Sequence, residues 1–254
     1  MPLIETARAP IWIADQRRPA SESPVVVLIH GAAGSRLDWS AEMRRLRAGV
    51  IALDLPGHGK SPAPGRSSVA EYAADVVALL DALKVDRAAL VGHSLGAAIA
   101  LQIALDHAER ALGIALIGAG AKLAVHPDIL NNIQTDQAKV AALLSEWFWA
   151  QGAPEDQRQQ GYAALMQTPA DVMLGDFTAS NAFDVRDRLA EIRVPTLIVS
   201  GAEDRMTPPK YSQYLHERIA GSTLVTIERA GHKVVLEKPQ AAADAVQAWL
   251  DKLR

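Results

Sequence analysis

The chain is 254 residues long, 49% hydrophobic and 22% charged, which is the balance of a globular protein with a sizeable core and excludes a disordered or fibrous chain. Its formal net charge of -3 provides no broad positive field to attract phosphates, so the expected partner is a small molecule, with no nucleic acid and no membrane. With no cysteine, disulfides, thiolate metal sites and a cysteine nucleophile are ruled out together.

In chain order, residues 1–15 lack the basic start, apolar run and small-residue cleavage site of a secretory signal. No later stretch is apolar for long enough to cross a bilayer. A cytoplasmic location is therefore expected, and nothing in the sequence sets an oligomeric state. Aliphatic and β-branched runs at 25–29, 50–53, 88–91, 114–117, 196–200 and 224–227 predict buried parallel strands. Helical patterns at 40–47, 69–83, 95–107, 208–219 and 239–252 alternate with them. This alternation predicts an α/β fold, with a mostly parallel central sheet and helices on both faces. The step from the strand at 114 to the one at 196 is far longer than a strand and a helix require. Across it, Ile129, Ile133, Leu143, Leu144, Trp147 and Phe148 are spaced as on helices. Residues 122–182 are thus expected to form a helical cap inserted into a core made of 1–121 and 183–254.

Gly92-His93-Ser94-Leu95-Gly96 joins the strand at 88–91 to the helix at 95–107. So sharp a turn strains the serine backbone, and the flanking glycines leave room for strand and helix to approach. A serine hydroxyl is a weak nucleophile until a base takes its proton. Candidates follow two later strands: the carboxylates Glu203 and Asp204 after 196–200, and His232 after 224–227. All lie at carboxyl ends of strands, the edge where open α/β sheets place their sites. Two further loops stand out, His30-Gly31-Ala32-Ala33-Gly34 and Asp54-Leu55-Pro56-Gly57-His58-Gly59-Lys60-Ser61.

With these four motifs in order over nearly its whole length, the sequence resembles the α/β-hydrolase superfamily, in particular its esterase-like and lipase-like serine hydrolases with a helical cap. The resemblance implies Ser94 as nucleophile, His232 as base and then acid, and Asp204 as the carboxylate that orients His232. It implies an oxyanion hole made by the backbone N–H groups of Ala32 and Leu95, and no cofactor. The implied activity is hydrolysis of carboxylic esters through an acyl-enzyme on Ser94. The same triad serves lactonases, carbon-carbon hydrolases, amidases and cofactor-free perhydrolases, and some relatives sense a ligand as receptors. A serine at position 94 argues against the dehalogenase and epoxide hydrolase relatives, whose nucleophile is an aspartate.

His93, Trp39, Trp147 and Phe148 are candidates to touch substrate, and His30 and His58 are expected to brace their loops by hydrogen bonds. No metal is expected: His216-Glu217 begins like a zinc-binding helix, but Ala220 stands where the second histidine would be. Between 122 and 181 the basic residues are Lys122, Lys139 and Arg158, which argues against a clamp for a strongly anionic substrate. The expected substrate is an uncharged ester or lactone with a modest apolar acyl part.

Overall fold

The computed structural model describes residues 2–17 and 24–253. Among them, β1 (Leu3–Ile4), β2 (Ile11–Asp15), β3 (Val25–Ile29), β4 (Gly49–Leu53), β5 (Ala88–His93), β6 (Ala111–Ile117), β7 (Thr196–Gly201) and β8 (Thr223–Ile227) form one sheet in the order β1-β2-β4-β3-β5-β6-β7-β8. From β4 through β8 the pairing is parallel, while β1 and β2 add an antiparallel edge. Each of the six predicted strands is present. The two N-terminal strands were not predicted. Ile11 and Ile13 do alternate with Trp12, but their strand exists because β4 offers it a partner at Ile13↔Leu53, and cross-strand packing rather than local preference decides such short elements. β8 is less buried than its aliphatic pattern suggests, because it is the outermost strand and leaves Thr223 and Thr226 exposed.

Alternation along the strands sorts side chains onto two faces. Val27 and Ile29 join one core cluster with Leu79 and Leu80 of α2 (Val69–Ala82) and most of α3 (Leu95–Asp106). Val26 and Leu28 join the other, with Met43, Val246 and Trp249. Numbered in chain order, the helices begin with α1 (Ala41–Arg44), which precedes α2 and α3. α1 is a single turn, shorter than the span 40–47 predicts, capped by the Ser40 side chain at Met43 N. α3 is buried nearly all round, and its alanines let it lie against both α2 and the sheet.

Four helices fill the long step between β6 and β7: α4 (Pro127–Asn132), α5 (Gln137–Trp147), α6 (Glu155–Gln167) and α7 (Ala170–Ala182). Their apolar residues Ile133, Val140, Leu144, Phe148, Leu165, Met173 and Phe177 make a third cluster, which reaches the rest of the protein at Ala33. α8 (Pro209–Arg218), α9 (Val234–Glu237) and α10 (Pro239–Leu250) complete the chain. Among the described residues, no helix is long and apolar enough to cross a membrane.

Candidate active site

Ser94 stands between β5 and α3 with φ 54° and ψ -116°, a backbone conformation that costs a non-glycine residue on the order of 1–3 kcal/mol. The flanking glycines make it attainable. A Cβ on Gly92 would lie 2.1 Å from the Gly96 carbonyl oxygen, and one on Gly96 would lie 2.1 Å from that of Ile29, so any larger residue would push strand and helix apart. Ser94 N–H donates to Ile117 O at the end of β6 at 2.9 Å, which fixes the turn to the neighbouring strand.

Asp204 and His232 lie on the loops after β7 and β8, and His232 Nδ1 donates to Asp204 Oδ2 at 2.8 Å with both residues buried. The other oxygen of Asp204 accepts from Met206 N and Thr207 N, each at 2.8 Å. Thr207 Oγ1 donates to Asp204 Oδ2 at 2.8 Å and sits 3.2 Å from His232 Nδ1. Burial by itself raises the Asp204 carboxyl, but the adjacent His232 and the Thr207 donors outweigh it and hold the group below the ordinary carboxylate value. Glu203 faces elsewhere and accepts from Gln151 N at 2.8 Å.

The N–H groups of Ala32 and Leu95 have no hydrogen-bond partner among the described residues. The peptide that carries Ala32 N–H is oriented by its own carbonyl, since Gly31 O accepts from Gly34 N at 3.1 Å and from His30 Nδ1 at 2.8 Å. His30 Nε2 accepts from Leu55 N at 3.0 Å, so its ring is neutral, and burial with His58 close by lowers its pKa to about 4. His30 thus braces the loop as expected.

Ser94, His232, Ala32, Gly31, His93, Phe148, Phe177, Met206 and Lys233 line one small cavity. Its free space is about 20 Å³, room for a water molecule and too little for an acyl group, so side chains of the lining must shift for an ester to reach Ser94. His93 is packed beside His232, with ring centres 4.8 Å apart, and its Nε2 donates to His232 O at 2.9 Å. Burial and the neighbouring His232 and Lys233 lower its pKa to about 3, which keeps it neutral. Trp39 and Trp147 do not line this cavity. Trp39 is 1% exposed in the core cluster on the far face of β3 and β4, because the turn before α1 directs it beneath the sheet. Trp147, the last residue of α5, packs edge-on to His126, the residue before α4, with ring centres 6.3 Å apart.

Three residues that the sequence reading passed over stand in the site or directly behind its lining. Thr207 lies three positions after Asp204, the spacing of a side-chain-capped turn, and was detectable on that ground. Lys233 lies next to His232, and its ammonium donates to Asp38 Oδ2 at 2.8 Å while lying 5.0 Å over the Phe148 ring. Asp176 of α7 is fully buried and pairs with His58 at 2.7 Å. No local pattern signals either of the latter two partnerships.

The His58–Asp176 pair has a testable pH signature. Burial lowers the His58 pKa, but the charge and hydrogen bond of Asp176 outweigh it, so the net shift is upward. A histidine whose folded pKa is raised lends its full stability below the unfolded value of about 6.5 and loses it as pH rises through the folded value. The Tm advantage of the wild type over His58→Gln should therefore be largest in mild acid and shrink steadily into alkali. A constant difference would show that the ring is not charged in the folded protein.

A strained serine at a strand-helix turn thus lines one cavity with a buried, carboxylate-paired histidine at the carboxyl edge of an α/β sheet, and the fold together with its relatives makes this chain a hydrolase. Residues 26–245 match the model of the alpha/beta hydrolase family, and the chain belongs to that family. It is 31% identical to a pimeloyl-[acyl-carrier protein] methyl ester esterase of Neisseria meningitidis, over 86% of this chain and 89% of that one. It is 28% identical to a putative carbamate hydrolase, RutD, of Pseudomonas syringae, over 91% and 95%. Among solved structures it resembles Est816, an N-acyl homoserine lactone degrading enzyme, with TM-score 0.86 and 29% identity over 97% of this chain and 99% of that one. It also shares the fold of the enol-lactonase of Burkholderia xenovorans LB400, with TM-score 0.91 at 23% identity over 98% and 100%.

Proposed function

We propose that this hydrolase cleaves carboxylic esters through an acyl-enzyme on Ser94, with residues 122–182 acting as a cap over the site. The observation that carries the reading is the buried 2.8 Å contact between His232 and Asp204 at the cavity that Ser94 also lines. In the first half-reaction His232 takes the Ser94 proton as the hydroxyl attacks the carbonyl carbon, and then delivers it to the departing alcohol. Asp204 holds Nδ1–H and stabilises the imidazolium, while Ala32 and Leu95 N–H receive the oxyanion. In the second half-reaction His232 activates water to release the acid. The similarity to Est816 favours a second substrate class, since opening a lactone is the same acyl transfer with the alcohol still tethered.

Lys233 adds a substrate preference. Lys233 is buried and lines the cavity, and its ammonium uses one of three donors on Asp38. Paired with a carboxylate, it contributes little net charge and suits a neutral acceptor, such as a carbonyl or amide oxygen in the acyl part, better than a free carboxylate. Lys233→Met in an Asp38→Asn background removes both charges together. This pair of changes should cut kcat/KM about tenfold for a 3-oxoacyl ester, the worth of one hydrogen bond to a charged donor, and leave the matching saturated acyl ester unchanged. Equal effects on the two esters would remove Lys233 from substrate recognition.

The reading itself is tested with a p-nitrophenyl alkylphosphonate. One equivalent of p-nitrophenol should be released, with the phosphonyl group found on the peptide bearing Ser94 by mass spectrometry and esterase turnover lost in proportion. Labelling elsewhere, or full turnover after stoichiometric labelling of Ser94, would overturn it.

A further inference from the structure

The loop from Gly31 to Gly34 contains three peptide units, and they are held by different parts of the protein. The first, which presents Ala32 N–H, is oriented through Gly31 O by His30 from the core and by Gly34 N–H of the third unit. The other two are held by the inserted helices. Ala33 N–H donates to Asp176 Oδ2 of α7 at 2.7 Å, and Ala33 O accepts from Thr168 Oγ1, just before α7, at 3.0 Å. Ala33 has φ 51°, in the left-handed region that residues with a side chain other than Asn or Asp seldom adopt. Asp176 is anchored in turn. The same oxygen accepts from His58 Nε2 at 2.7 Å, and its other oxygen accepts from Tyr72 Oη at 2.6 Å. With the residue fully buried, the carboxylate cannot turn away from any of these donors without leaving charge unsolvated.

We propose that Asp176 is a positioning residue for the reaction: together with Thr168 it sets the oxyanion loop from the insertion, so the inserted helices complete the catalytic machinery as well as cover it. The role rests on the serine esterase reading. A loop free to relax at Ala33 carries Ala32 N–H off the line of the developing oxyanion, and misplacement on the scale of 1 Å is enough to cost about a hundredfold in rate. Ground-state binding, which uses the cavity walls, is left in place. The consequence is a fall in kcat with little change in KM.

The test compares Asp176→Ala, Asp176→Asn and the near-isosteric Thr168→Val by kcat per titrated active site, KM, and amide hydrogen exchange over residues 30–35. Asp176→Ala should lose about 10- to 100-fold in kcat per site and Thr168→Val several-fold, with KM held within about threefold. Asp176→Asn keeps an acceptor for Ala33 N–H and should retain most of the rate. Exchange over 30–35 should quicken in the alanine and valine variants and not in the asparagine variant. A purely structural role would lower the number of titratable sites but leave the rate per site intact, which overturns the proposal, as does unchanged exchange in both Asp176→Ala and Thr168→Val. Should Asp176→Ala fail to fold, Thr168→Val decides alone. Turnover that survives Ser94→Ala would sink the esterase reading, whereas the exchange comparison needs no substrate and still decides whether the insertion holds the loop.

Discussion

Ser94→Ala is expected to lower kcat for a p-nitrophenyl ester by roughly 10⁶-fold, to the level that the oxyanion donors and binding sustain without a nucleophile. The cavity offers no substitute. Besides Ser94 it is lined by glycine, alanine, phenylalanine, methionine, two histidines and a lysine, and of the histidines His93 has its Nε2–H engaged with the His232 carbonyl. The substitution should leave the fold intact, because alanine meets the same backbone strain as serine and the elbow is held through Ser94 N–H rather than the hydroxyl. Equal Tm and KM together with the lost kcat would assign the defect to chemistry. Retained turnover would mean that water attacks directly or that a group outside this cavity does.

Asp204→Asn is expected to cost about 10⁴-fold in kcat with the structure unchanged. The environment dictates which way the amide faces. Met206 N and Thr207 N both point at Oδ1, so that position must remain an oxygen and the NH₂ group falls at Oδ2, opposite His232 Nδ1. An N–H there makes Nδ1 the acceptor and drives the imidazole proton to Nε2, where it blocks uptake of the Ser94 proton. Glu203 cannot take over, since its carboxylate accepts from Gln151 N on the other side of the loop. Asp204→Ala should therefore be no better than the asparagine variant. Activity close to wild type in either would show that His232 needs no carboxylate partner here.

The parts of this protein that can be read in one dimension are those whose physics is local. A turn as tight as the one at Ser94 requires glycine at 92 and 96, where a single Cβ would collide with backbone 2.1 Å away. Likewise, aliphatic runs of strand length followed by helical spacing declare a covered parallel sheet, and the carboxyl ends of its strands are where Ser94, Asp204 and His232 fall. Contacts between distant segments leave no such mark. Asp176 and Ala33 are 143 positions apart, Asp176 and His58 118, and Lys233 and Asp38 195. Asp176 and Lys233 read in the sequence as ordinary helix or loop residues. β2 is a strand because β4 lies open beside it, and Trp39 belongs to the core because the turn before α1 sends it under the sheet. By itself, then, the sequence determined the order of the six parallel strands and the main helices between them, the elbow and the identity of the candidate triad. Only the tertiary structure decided what surrounds that triad, because a buried charge or hydrogen bond is stabilised by whichever partner packing brings within about 3 Å, and packing is a property of the whole chain.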